Sequence, residues 1–131
     1  MSTREGFAEV CRGVCSERGW QLVPSGIRVP LPEGRHQLVE LDFFEFAERP
    51  LVRLTTRIGG EDQLADVRLP LALRLNAELA HGAFALRDGE LVMLDTLVLE
   101  DTDPGELEAV VGYLAEIADR YEARLFGRDE H

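Results

Sequence analysis

Cys11 and Cys15 stand four residues apart, a spacing that sets both thiols on one helical face, one turn from each other. Redox exchange asks for Cys-x-x-Cys, and a nucleophilic thiol asks for a histidine at hand. The histidines are scattered at His36, His81 and His131, which also leaves a metal short of ligands. Reduced thiols packed in a core are the expectation. Carboxylates crowd Asp95, Glu100, Asp101 and Asp103. Acid–base catalysis would need two of them buried in a cleft with their pKa values pushed apart. Their place at a strand end and a helix start suits capping and solvation instead. Asp95 interrupts an apolar strand and is expected either to meet an Arg or to face solvent at a sheet edge. Gly59-Gly60 lacks the Lys and the spacing of a phosphate-binding loop. Asn76, within an apolar helix, is expected as a satisfied amide that bonds the backbone of the next segment. Trp20 is expected in the core before it serves as a partner anchor. The sequence thus names no catalytic residue, no cofactor and no metal, and implies a protein that is not an enzyme.

Charge narrows the partners. The 131 residues carry 25 acids against 14 bases, a net charge of −11, and every base is Arg. A nucleic acid needs clustered cations, and the sequence has no basic stripe. Anionic membrane surfaces are disfavoured for the same reason. A basic or mixed-charge protein is compatible, although acidity can equally serve solubility alone. No stretch approaches the ~20 apolar residues that span a bilayer. Met1 to Gly6 is polar and lacks an apolar signal core, so a cytoplasmic location is expected. At 45% hydrophobic and 30% charged residues the chain can build a core. With no repeat, linker or low-complexity tract, residues 1–131 are read as one domain.

The elements that would hold these residues follow from periodicity. Phe7, Val10, Cys11 and Val14 fall at i, i+3, i+4, i+7, predicting a helix over Thr3 to Arg18, capped by Ser2 with Glu5 and stopped at Gly19. Trp20 to Val23 and Ile27 to Leu31 read as one strand interrupted at Pro24-Ser25-Gly26. Its prolines put it at an edge. His36 to Phe46 and Leu51 to Ile58 read as the next two strands, with Val52, Leu54 and Ile58 inward and Arg53, Thr55 and Arg57 outward. A second helix carries Pro70 in its first turn and runs to about Ala80, near Gly82. Asp88-Gly89 predicts a two-residue hairpin turn within 83–99, pairing Arg87 with Glu90. The last helix has Asp103 as N-cap, Pro104 at its first position and Gly127 as its stop. The order α-β-β-β-α-β-β-α argues an α+β fold, an antiparallel sheet with helices packed on it.

Such a sheet shows polar residues on the face its helices leave open. Here the apolar supply is too large. Leu38, Phe44 and Phe46 share a face with Glu40 and Asp42, and the hairpin carries Val92, Leu94 and Val98 on the face opposite Phe84 and Met93. The second helix is apolar nearly all round, through Leu71, Leu75 and Leu79 among others, as if buried on more than one side. The expected cover is another polypeptide, a second copy first of all. The candidate dimer or partner interface is Leu71, Leu75, Leu79, Phe44, Phe46, Val92, Leu94 and Val98.

Residues 71–122 also resemble the type III secretion chaperone-like superfamily, and within it the YbjN-like branch of bacterial sensory transduction regulators. The resemblance is carried by Leu75-Asn76, by Gly-x-Phe-Ala-Leu at Gly82 to Leu86, by Leu-x-Leu-Glu-Asp at Leu97 to Asp101, and by Ala-Asp-Arg-Tyr-Glu at Ala118 to Glu122. The first half matches more loosely, through Gly34, Arg35, Gln37 and Val39. None of these motifs is catalytic. The resemblance implies the chaperone-like fold, a homodimer, and a groove or sheet edge that holds a segment of a partner protein. The competing reading is a small-molecule-sensing or enzymatic domain with its site in the dimer cleft.

Overall fold

The stripe through Phe7, Cys11, Val14 and Cys15 forms α1 (Thr3–Arg18), whose buried residues are these four. Gly19, at φ 74°, closes it, and the Trp20 N–H reaches back to the Cys15 carbonyl at 3.0 Å. This is the left-handed stop that satisfies a helix's last carbonyls. The computed structural model describes residues 3–64 and 68–126. The proposed Ser2 cap and Gly127 stop lie outside them.

Six strands follow: β1 (Gln21–Val23), β2 (Gly26–Pro30), β3 (His36–Phe46), β4 (Arg49–Gly60), β5 (Ala83–Arg87) and β6 (Glu90–Val98). They form one sheet in the order β1-β2-β3-β4-β6-β5, with every neighbouring pair antiparallel. The interrupted first strand is in fact a hairpin, with Val23 opposite Gly26. A Cβ on Gly26 would stand 2.1 Å from the Val39 carbonyl, so the backbones there pass too closely for any other residue. The edge expected from the prolines falls one strand further out: β1 is the edge strand, while Pro30 is on β2, between β1 and β3 and past the end of the β1–β2 pairing.

α3 (Pro104–Phe126) lies across β3, β4 and β6 and packs on α1. Asp103 caps it: its Oδ1 accepts the Glu106 N–H at 2.7 Å. Alternation sends Val39, Val52, Leu54, Met93 and Leu97 toward the helices, where they join Leu107, Val111 and Leu114 in one core. Each such side chain contributes about 1.5–3 kcal/mol by leaving water. The opposite face carries Glu40, Asp42, Phe44, Leu51, Arg53, Leu94 and Val98, and among the described residues no helix covers it.

The second helix, α2 (Arg68–Leu75), is shorter than its apolar pattern suggests. A single 3-10 turn, Asn76–Glu78, takes over where the Asn76 side chain leaves for another segment. Only Ala72 of α2 is buried.

Several turns use left-handed backbone, Glu33-Gly34 among them at φ 65° and 76°. Asp88-Gly89, at φ 53° and 78°, makes the expected two-residue turn and pairs Arg87 with Glu90. Gly82, at φ 70°, fits where a Cβ would meet the Leu94 carbonyl at 2.7 Å. Ala47-Glu48 makes the same kind of turn between β3 and β4, at φ 54° and 66°, with two residues that resist it. Glu48→Gly is therefore expected to raise the unfolding free energy by about 0.5–1 kcal/mol, read from urea melts. Gly82→Ala is expected to lower it by more than about 1 kcal/mol in the same assay, since strain and overlap add.

Candidate functional site

A cleft of about 210 Å³ opens between α2 and the edge strand β5, lined by Leu69, Ala72, Leu73, Phe84, Leu86 and Leu91 without a polar side chain. On its walls Leu73 is 68% exposed and Leu86 48%. Water held against this much contiguous apolar surface is costly, and such patches mark docking sites.

The edge beside the cleft is mostly closed to strand addition. Phe84 points its N–H and C=O away from β6, and both go to the Asn76 amide, at 2.7 and 3.4 Å. The expectation for Asn76 is met. Beyond the end of β5, the edge of β6 is closed in the same way. The Asp95 carboxylate accepts the Thr96 N–H at 2.7 Å, and the Val98 carbonyl accepts the Thr102 hydroxyl at 2.7 Å. Among the described residues Asp95 thus meets no Arg; it blunts a free edge. By alternation, the N–H and C=O of Leu86 are the groups still turned outward on β5. The cleft is suited to an inserted side chain more than to a long added strand.

The sequence-derived interface residues fall on two separate surfaces, α2 and the open sheet face. Leu71 is exposed on α2, while Leu75 and Leu79 are partly buried against the core. Phe44, Leu94 and Val98 are half-buried on the open sheet face, with the Arg53 guanidinium 4.7 Å above the Phe44 ring. Phe46 stands at the β3–β4 hairpin tip, 72% exposed. Val92 is on the same open face yet only 2% exposed, so it has almost no surface left to offer. Leu73 and Leu86 were not among these residues. The helical stripe containing Leu71 and Leu75 draws attention away from Leu73, and Leu86 reads as an inward residue of a paired strand.

A second concavity, a groove of about 560 Å³, runs between α3 and the Pro30–Arg35 segment past Trp20, with Arg18, Glu116, Arg120 and Arg124 on its walls. Trp20 itself is buried, as expected. Arg35 and Asp119, 84 residues apart, meet in this groove. The Arg35 guanidinium grips the Asp119 carboxylate through Nε at 3.0 Å and Nη2 at 2.9 Å, and also holds Glu33 at 2.7 Å. These bonds push the Arg35 pKa further up, Asp119 contributing most. The fork joins the Gly34-Arg35 motif to the motif at Ala118 to Glu122, a pairing that spacing could not reveal.

The thiols are inert by environment. Burial, aided by the neighbouring Cys15, pushes Cys11 up from its ordinary 9.0 to about 12, and burial raises Cys15 as well. Among the described residues, no three His, Cys, Asp or Glu side chains gather as a metal would need. Within the groove Arg35 and Asp119 bond each other, and among the described residues neither concavity brings a nucleophile to a base.

The family model named YbjN, described as "Putative bacterial sensory transduction regulator", matches residues 9–126. No curated protein matches the chain. Among solved structures, the type III secretion chaperone SycH of Yersinia pestis, in complex with a stable fragment of YscM2, is similar at a TM-score of 0.57 and 18% identity, over 91% of this chain and 98% of that one. That likeness establishes an α+β fold of the secretion-chaperone type.

Asn76→Ala is expected to cost about 1–3 kcal/mol, because it strands two backbone groups of Phe84, and to speed hydrogen exchange of the Phe84 amide. Between about pH 9 and 12 the unfolded chain loses the Cys11 proton while the folded chain keeps it. The unfolded state then binds fewer protons, so stability falls as pH rises through that window. Urea midpoints measured across it should fall less steeply for Cys11→Ala than for the parent.

Proposed function

The chain belongs to the YbjN family, and from that premise we propose that it is a non-enzymatic protein-binding module, a chaperone-like or regulatory adaptor that holds a segment of a partner protein and works as a homodimer. The observation that carries this reading is the α2–β5 cleft, an apolar recess with two exposed leucines on its walls and free of converging titratable groups. A site for chemistry would show the reverse. The open sheet face, on the other side of the sheet from the cleft, adds Phe44, Leu94 and Val98 to the area that a second polypeptide could take from water. The chaperone SycH, whose fold this chain resembles, was solved with a fragment of another protein, which is the kind of ligand proposed here.

Two surfaces are then available to two polypeptides. The α2–β5 cleft and open sheet face suit a second copy. The groove past Trp20 suits the partner segment, since its apolar floor is bordered by both signs of charge. In this reading residues 1–131 act as one unit, the core running unbroken from α1 to α3. The setting is the cytoplasm, where two free buried thiols such as Cys11 and Cys15 stay reduced.

Photo-crosslinking tests the proposal. With a photoreactive side chain at Leu86 in the cleft, or at Glu116 in the groove, irradiation in the native host is expected to give discrete protein adducts. One should have twice the chain's mass and one should join a foreign polypeptide, while the same probe at Glu17 on α1 gives neither. Absence of protein adducts at both sites, together with a metabolite retained in the groove on native mass spectrometry, would overturn it in favour of small-molecule sensing.

A further inference from the structure

We propose that the cleft between α2 and β5 is filled by Phe46 of a second copy, each subunit giving its aromatic knob to the other's cleft. This rests on the homodimer reading above and names its contacts. Phe46 is the most exposed large apolar side chain among the described residues, at 72%. It is held out by a two-residue turn whose Ala47 and Glu48 both sit in left-handed backbone. The cleft, at about 210 Å³, is wholly apolar and has room for a phenyl ring. Knob and cleft lie on one chain, but they cannot meet within it. They are separated by three strand spacings and by the length of β4 from Arg49 to Gly59, roughly 35 Å at ~4.8 Å per strand and ~3.3 Å per residue.

That separation suits a reciprocal pair. A standard interface buries about 800 Å² per partner, a patch roughly 32 Å across, so two knob-and-cleft contacts would lie near its opposite margins. Phe46 shares the open face with Phe44, Leu94 and Val98, while the cleft is lined by Phe84, Leu86 and Leu91 of the helix-covered face at the β5 edge. Charge agrees. Glu45 and Glu48 flank Phe46, with Glu100 and Asp101 beside them engaging Arg49. The helix walling the cleft, α2, carries Arg74 and no acid, its Arg68 donating to the Leu125 carbonyl. The closing of the edge by Asn76 and Asp95 adds a reason for side-chain insertion, since little backbone there is free to pair. Because each copy gives what it receives, the contact closes on a twofold axis and stops at two chains.

Sedimentation of the full chain across concentration tests this, with Phe46→Asp and Leu73→Glu as variants at exposed positions that leave the core untouched. The parent is expected to be a dimer. Each variant alone should dissociate with a Kd raised about 30-fold or more, the effect of losing an interface anchor. Mixed, the two should form a heterodimer tighter than either variant's own dimer, because one intact knob then meets one intact cleft. A dimeric parent with Phe46→Asp unchanged, or a mixture with no preference for the heterodimer, overturns the knob-and-cleft contact and leaves the homodimer reading standing. Mass growing past two chains also overturns the reciprocal closure. A parent that is a single chain throughout sinks the homodimer reading itself.

Discussion

α3 lies over β3, β4 and β6 with α1 beside it, and the core thus formed is strictly one-sided. The rest of the molecule inherits that asymmetry. A chain of this size has enough helix to cover one face of a six-stranded sheet, and the face it leaves open must be made tolerable to water or given to another polypeptide. Charged side chains do part of this. Arg53 lies over Phe44, and Arg87 bonds Thr55 and approaches Glu40 and Asp42. They screen the apolar residues without removing them, and the excess gathers toward α2 and the β3–β4 tip.

The sheet edges show the same economy. β5 would be a template for indiscriminate pairing, and an exposed edge of that kind is an aggregation hazard. Asn76, Asp95 and Thr102 each spend a side chain on a backbone group that would otherwise face outward. At Asn76 the same device ends α2 early and holds the cleft wall against β5. Selectivity follows: with the backbone groups taken, what can dock is decided by the shape of an apolar recess and the charge around it.

The Arg35–Asp119 fork fixes the other end of the molecule. It ties the segment between β2 and β3 to the C-terminal half of α3 and so sets the width of the groove past Trp20. A Lys could not reproduce its two-pronged geometry. The matching family motifs on both sides of this bond have a structural job, which agrees with their lack of nucleophiles or bases. The two concavities therefore differ in kind. One is apolar and bordered by exposed leucines, and the other is propped open by a bidentate ion pair.

Local chemistry alone made much of this legible. Asp103 had to cap the last helix, Asp88-Gly89 had to turn a hairpin, and the alternation along β3, β4 and β6 had to sort core from open face, because each depends only on neighbours in the chain. The surplus of apolar residues was legible too. Tertiary structure decided where the surplus goes. Val92 is covered within its own chain while Leu73 and Leu86 are not. The reason is the short α2, which ends where Asn76 is recruited by a strand eight residues on. Arg35 and Asp119 likewise meet only because the sheet brings the start of β3 beneath the end of α3. Periodicity tells which face a side chain is on; whether another segment of the chain lies over that face depends on contacts between residues far apart in sequence.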